Sequence, residues 1–357
     1  MQCPTLSELP VPPSGKTGWP WKEESTGFAN SAGTGQEWPR ITVVTPSFNQ
    51  GYFIEETIRS VLLQRYPNLE YIVIDGGSTD NTLNIIQEYR PWLSDAVIEP
   101  DKGQSDAINK GWRRSTGKIL AWLNSDDVYE PNALFRVAAA WLANPSAGLW
   151  HGLCHEFDEG GIKRTIGEPY DMKIALSRGY DAGGRVAQPA AFLARLAIDR
   201  VGMLDDRLRQ SMDKDVFQRV AAFYDAVFIP EVLARFRVHR DQLSQIHIRD
   251  LRFFIHRERL MALENLFALP NIPNSVMRLR GRAMARTHLR LAQQLRFGGK
   301  TTDAFRHLSL SLMSHAATIN DLESFRALML TLLGPKLSAW VSSIKRRCLR
   351  SPLQSAS

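Results

Sequence analysis

Tyr71-Ile72-Val73-Ile74-Asp75-Gly76-Gly77-Ser78 is the stretch that decides the fold. Four apolar residues in a row lack the alternation of a half-exposed strand, so they read as a strand buried on both faces. The run ends on an acid and two glycines, where a ligand can come close to the backbone. The same pattern recurs on either side. Ile41-Thr42-Val43-Val44 is an earlier buried strand, Ala96-Val97-Ile98 a later one, and Ile119-Leu120-Ala121-Trp122-Leu123 a fourth. Helical spacing separates them. It covers 52–64, with Phe53, Ile54, Ile58, Val61 and Leu62 apolar, then 79–89, with Ser78 or Asp80 as a cap, and 105–115. This alternation predicts an α/β fold with a doubly wound, mostly parallel sheet. Ligands of such sheets sit beyond the carboxyl ends of the strands, where strand order reverses.

Outward from that block the pattern loosens. A helix is expected from about Asn132 to Ala143, then short strands over 149–157 and 162–167 around a Gly160-Gly161 turn. Residues 188–193 read as a strand, 215–223 as a helix, and 228–238 as an edge strand of the sheet. Beyond 250 only helices are expected. One helical hairpin sets Ala285, Leu289, Ala292 and Leu295 against Phe305, Leu308 and Leu312 across Gly298-Gly299. The chain therefore divides into an extended Pro/Gly-rich segment over 1–40, a catalytic-type domain over 41–250, and a basic helical extension over 251–357.

Charge follows the same division. The 357 residues carry 44 Lys+Arg and 37 Asp+Glu, a net of +7. Residues 251–357 hold 17 of the basic and 5 of the acidic residues, so the remainder is acidic, 27 against 32. A recognition module for nucleic acid does not accompany the basic part, so no nucleic-acid partner is expected. Leu337, Trp340, Val341, Ile344 and Cys348 fall on one helical face with Lys345, Arg346, Arg347 and Arg350 at its end. The plain reading is a helix packed on the body. The sharper one is docking of 335–350 on an anionic membrane surface. Three scattered cysteines without CxxC spacing argue against a disulfide framework or zinc site and suit a reducing cytoplasm. No secretory signal or membrane span is read, which makes the expected location cytoplasmic, peripheral at the inner face of the plasma membrane at most.

Chemistry concentrates at strand ends. A dinucleotide fold needs GxGxxG after the first strand; Thr45-Pro46-Ser47-Phe48-Asn49-Gln50-Gly51 stands there instead. Gly15-Lys16-Thr17 lacks both the first glycine and the preceding strand of a phosphate loop. Asp75 can accept from a ribose hydroxyl or a base N–H; its plainer role is in a helix-cap loop. Asp126 and Asp127 follow the fourth strand in Leu123-Asn124-Ser125-Asp126-Asp127. Two adjacent acids there suit Mg²⁺ or Mn²⁺ shared with a polyphosphate, and otherwise serve as helix caps. Asp213 and Asp215 open a helix, where carboxylates are held as anions, either as caps or as a general base. Arg235, Arg237, His239, Arg240, Gln242 and Ser244 form a cationic strand end suited to a diphosphate.

With these segments in order, the chain resembles a family 2 glycosyltransferase of GT-A fold, bacterial polysaccharide type. The matching motifs are Thr45-Pro46-Ser47-Phe48-Asn49, Asp75-Gly76-Gly77-Ser78-Thr79-Asp80-Asn81-Thr82, Asp101 through Gly111, and Trp122 through Asp127. Gln188-Pro189-Ala190 through Asp205 looks like the family's acceptor-side segment, and Gly18-Trp19-Pro20-Trp21 resembles a bacterial subgroup. The resemblance implies an inverting transfer of a sugar, UDP-linked, to a hydroxyl of a glycan or lipid-linked acceptor. It implies that Thr45 and Pro46 line the base pocket and that Asp75 binds uracil or ribose. Asp106, Asn124, Gln188 and His239 would contact the nucleotide-sugar. Asn124 stands where the family often has the first acid of its DxD motif, which leaves Asp126 as principal metal ligand with Asp127 and His239 beside it. Asp213 becomes the base. The alternatives are a non-catalytic nucleotide-sugar or glycan-binding protein of the same fold, and a nucleotidyltransferase, which would need a basic Gly-rich loop after the first strand.

Overall fold

The computed structural model describes residues 3–26, 37–240, 242, 248–317 and 324–334. The strands are β1 (Ile41–Ser47), β2 (Leu69–Asp75), β3 (Asp95–Ile98), β4 (Ile119–Trp122), β5 (Val128–Tyr129), β6 (Leu149–Asp158), β7 (Gly161–Ile166), β8 (Ala191–Ala194) and β9 (Ala226–Arg237). The helices are α1 (Ile54–Leu62), α2 (Thr82–Tyr89), α3 (Gln104–Arg114), α4 (Ala133–Ala143), α5 (Met172–Arg178), α6 (Arg195–Val201), α7 (Met212–Ala221), α8 (Ile248–Ala268), α9 (Asn274–Met277), α10 (Arg280–Phe297) and α11 (Thr301–His315).

One sheet runs β3-β2-β1-β4-β8-β6-β9-β5, with β7 hairpinned onto β6. The first four strands are parallel, as their continuous apolar runs require, and every residue of β1 and β2 is buried. Strand order reverses at β1, which lies between β2 and β4, so a crevice opens at the carboxyl ends of β1 and β4. Beyond β4 the sheet is mixed. β8 is antiparallel to both β4 and β6, and β9 is parallel to β6. The expectation that 228–238 forms an edge strand is corrected: β9 lies inside the sheet, with β5 antiparallel on its other side. That pairing brings Arg237 and His239 beside the loop after β4. The strand expected over 188–193 begins only at Ala191, because Pro189 holds 188–190 in a 3₁₀ turn.

Helix α3 lies so close to β1 that a Cβ on Gly111 would fall 2.6 Å from Val44, which is why the helix carries glycine there. The N-terminal segment is clamped to the body. Arg59 of α1 is fully buried and donates to the carbonyls of Pro10, Pro20 and Trp21, while Trp19 Nε1 donates to the Tyr129 carbonyl at 2.7 Å. The principal core continues past 250 into the helices, through Leu263, Leu266 and Val276. The α10–α11 hairpin forms at Gly298-Gly299, with Leu289 and Ala292 packed against Leu308 and Ala327. The charged face of 335–350 lies outside the described residues, as does Ser244. Among the described residues no helix is long and apolar enough to cross a membrane.

Candidate active site

The turn after β4 is built around a buried acid. Asp127 is fully buried; its Oδ1 accepts from the Arg237 backbone N–H at 3.0 Å and its Oδ2 from Asn124 Nδ2 at 3.2 Å. Thr57 of α1 donates to the Asp127 carbonyl at 2.7 Å, pinning the turn from below. Burial, reinforced by the neighbouring Asp126, pushes the Asp127 carboxyl well above the usual carboxylate range. Both of its oxygens are thus engaged inside the protein. Asp127, expected as a metal ligand beside Asp126, is the inward acid of the two and ties the turn to the strand that carries Arg237.

Asp126 faces the other way. Its Oδ2 lies 3.0 Å from His239 Nε2, with both side chains about 15% exposed. The imidazole rests on Phe53 at 4.6 Å between centroids. A carboxylate oxygen beside an imidazole nitrogen could offer two protein donors to Mg²⁺ or Mn²⁺. No group of three or more His, Cys, Asp or Glu suited to a metal occurs among the described residues. Arg237 does not add a free cation. Its Nε donates to the Asp126 carbonyl, its guanidinium pairs with Glu56 at 3.0 Å, and it lies over Phe157 and Phe53. Arg235 is likewise held in a two-bond pair with Glu130.

Asn124 joins the strand end to its neighbours. It accepts from Gln104 at the start of α3 and donates to Gln188 Oε1 at 3.1 Å, and Gln188 in turn donates to the Trp122 carbonyl at 3.0 Å. Asn124 and Gln188 are thus bonded to each other, and Gln104, inside the Asp101–Gly111 motif, is a further partner.

The residues expected on the nucleotide side lie at the ends of β1 and β2. Asp75 is fully buried and accepts from the Gly77 and Ser78 N–H groups and the Ser78 hydroxyl, so it organises its own loop. Thr45 is buried with its hydroxyl 3.0 Å from Tyr71 Oη, and Pro46 is buried beside it. Ser47, in register with Asp75, is buried with a hydroxyl that has no partner. Two further residues escaped the sequence reading. Asp101 Oδ2 lies 2.7 Å from where a Cβ on Gly76 would be, so a side chain there would push the Asp101 carboxylate aside, and burial raises that carboxyl above its ordinary value. Phe48 packs against the same glycine yet is 59% exposed. An exposed aromatic after an apolar strand was the available signal. Asp106, in the first turn of α3, accepts from the Lys102 N–H at 3.1 Å and lies 3.6 Å from Lys110.

The opposite wall is α7. Phe217 stacks on Trp122 at the end of β4, and Ser105 of α3 donates to Met212. Asp213 lies one turn before Phe217 and shares its face. Asp213 is partly exposed and makes no hydrogen bond or ion pair among the described residues. Its neighbour Asp215 is fully buried, paired with Arg219 at 2.7 Å and bonded by Asn265 of α8 at 3.1 Å. The described residues thus hold one carboxylate–imidazole pair at the strand end and one unengaged carboxylate at the start of α7.

Comparison with known proteins identifies the family and the fold. Residues 42–200 match the model of glycosyl transferase family 2. An uncharacterized glycosyltransferase of Mycobacterium tuberculosis (strain CDC 1551), MT1564, is 30% identical over 56% of this chain and 75% of its own length. The chain belongs to glycosyltransferase family 2. Two other curated relatives are matched over only 36% and 39% of their own length. Among solved structures, the mannosyltransferase PcManGT of Pyrobaculum calidifontis, in complex with GDP-Man and Mn²⁺, superposes with a TM-score of 0.51 at 20% identity. That match covers 85% of this chain and 83% of that one. TarS 1–349 of S. aureus, in complex with UDP-GlcNAc, gives 0.53 at 13% identity over 80% and 91%. These likenesses establish the GT-A fold.

Proposed function

We propose that this family 2 chain is an inverting glycosyltransferase. It moves a sugar from a nucleoside-diphosphate donor, a UDP-sugar, to a hydroxyl of a glycan or lipid-linked acceptor. The observation that supports the reading is the pairing of Asp126 and His239 at 3.0 Å after the fourth parallel strand, with Asp213 at the start of α7 left unengaged among the described residues. The mannosyltransferase complex with GDP-Man and Mn²⁺, and the TarS complex with UDP-GlcNAc, support a nucleotide-sugar donor for a chain of this fold.

The residues divide the work by position. Phe48 offers its exposed face to a base, Ser47 offers a hydroxyl at its edge, and Asp75 holds the loop beside them. Asp126 and His239 would hold a divalent cation, whose charge offsets that of the departing diphosphate. Asn124 and Gln188 hold the floor between donor and acceptor walls. Asp213 accepts the proton of the acceptor hydroxyl as its oxygen bonds to the anomeric carbon from the face opposite the leaving group. The bond to the diphosphate oxygen breaks in the same displacement, the nucleoside diphosphate leaves with that electron pair, and configuration inverts.

The test is calorimetry of the full chain with UDP-GlcNAc, UDP-Glc and GDP-Man, with and without Mn²⁺, followed by assay for donor turnover. Metal-dependent binding of one donor with its slow hydrolysis is expected. Absence of binding for every nucleotide-sugar would overturn the reading, and binding without turnover under any acceptor would favour the non-catalytic alternative.

A further inference from the structure

The Asp126–His239 pair has a positive charge built in beside it. The Arg237 guanidinium lies against the turn after β4, its Nε donating to the Asp126 carbonyl at 2.9 Å. Phe157 and Phe53 cover it, with ring centroids 4.4 and 5.1 Å away. A charge so covered is poorly screened by water and salt. Its anchor is the backbone of the residue whose carboxylate would take a divalent cation, so the guanidinium and that cation repel each other.

Glu56 answers that charge. Its Oε2 lies 3.0 Å from Arg237 Nη2, and the two side chains are only 16% and 14% exposed. Arg237 Nη2 nevertheless makes no hydrogen bond. The hold is therefore one of charge rather than of an aimed N–H, and an uncharged amide would not reproduce it. The other guanidinium of this strand, on Arg235, is already bonded twice to Glu130. Glu56 is also placed by a rigid element. Phe53, Glu56 and Thr57 fall at i, i+3 and i+4 on the first turn of α1. Phe53 lies against the His239 ring at 4.6 Å and Thr57 donates to the Asp127 carbonyl at 2.7 Å, while Ile54, Ile58, Val61 and Leu62 bury the same helix in the core. One turn of α1 thus touches both segments that bring Asp126 and His239 together.

We propose that Glu56 is a positioning residue for the cation: by neutralising Arg237, it lets Asp126 and His239 take Mg²⁺ or Mn²⁺ beside a fixed guanidinium. The inference rests on the glycosyl-transfer reading above, which calls for that cation.

The probe is Mn²⁺, titrated into the full chain with and without UDP, with free Mn²⁺ read from its EPR signal. Glu56→Gln should weaken Mn²⁺ binding by about 10–100-fold, as loss of a group that supports a metal ligand from behind does. Arg237→Gln removes the charge that Glu56 answers and should bind Mn²⁺ at least as tightly as wild type. The double variant Glu56→Gln/Arg237→Gln should then match Arg237→Gln within about threefold, because no guanidinium is left to neutralise. An ion pair that only tied α1 to β9 would lose Mn²⁺ affinity alike in both single variants. Equal losses there would overturn the assignment, as would unchanged affinity in Glu56→Gln or a double variant as weak as Glu56→Gln. If Glu56→Gln does not fold, Arg237→Gln decides alone: tighter or equal Mn²⁺ binding supports the assignment and weaker binding overturns it. Wild type that binds UDP with no Mn²⁺ would overturn the role of Glu56 and leave the transfer reading standing. Wild type that binds neither would overturn the transfer reading itself.

Discussion

The turn after β4 and the start of α7 each carry two acids, and the two regions treat their pairs alike. In each, one carboxylate is partly exposed and the other is fully buried. Asp127 is held by Arg237 and Asn124, and Asp215 by Arg219 and Asn265. The regions differ in what the outward acid meets. Asp126 has an imidazole at 3.0 Å, whereas Asp213 has no partner among the described residues. An acid already paired with an imidazole is placed to share a cation. An acid without a partner is free to take a proton. The inward acids do neither; they fix the element that carries the outward one.

The largest expected effect tests the outward member on α7. Asp213→Asn should reduce sugar transfer by about 10²–10⁴-fold, with donor affinity and melting temperature unchanged. Retained turnover would move the base elsewhere and break the parallel. Next comes the inward member. Arg219→Ala leaves Asp215 buried without its ion pair and should cost about 3–5 kcal/mol in chemical denaturation. A loss below 1 kcal/mol would show that Asn265 alone holds the acid. At the β4 turn, Asp126→Ala should weaken Mn²⁺-dependent donor binding by more than about 100-fold, and Asp127→Asn, behind it, by about 10–100-fold. Equal losses in calorimetry would erase the distinction between outward and inward acids there.

These pairs also show what a sequence can reveal. Adjacency of Asp126 and Asp127 marked the region, because two like charges at a strand end need a reason. It did not say which one works, since that depends on β9, more than a hundred residues later, reaching across to place the Arg237 N–H. Arg219 was visible as the i+4 partner of Asp215, but Asn265 belongs to α8 and could not be paired by spacing. The parallel half of the fold was legible for the opposite reason. Strands buried on both faces write continuous apolar runs, and β1, β2 and α3 fall within a few residues of their expected bounds. β9 was misplaced at an edge because its residues are only partly buried even though strands flank it on both sides.

The smallest expected effect separates the buried acids from a buried base. Burial favours the neutral form of any group, so it raises the Asp215 carboxyl and lowers His151 to about 4. The signs with pH are therefore opposite. Asp215 binds its proton more readily folded than unfolded, so as pH falls through its folded value its contribution to stability rises. His151 sits in the sheet against Phe228 with neither ring nitrogen hydrogen-bonded. It stays neutral in the folded state while the unfolded chain takes up a proton below about pH 6.5, so stability is lost between there and about 4. At pH 5.5 the loss should be about 1–2 kcal/mol. His151→Phe should flatten the melting temperature over pH 6.5–5 without altering its value at pH 8 by more than a few degrees. If the slope persists in that variant, the interior histidine is not what yields to acid, and the held carboxylates become the groups to titrate next.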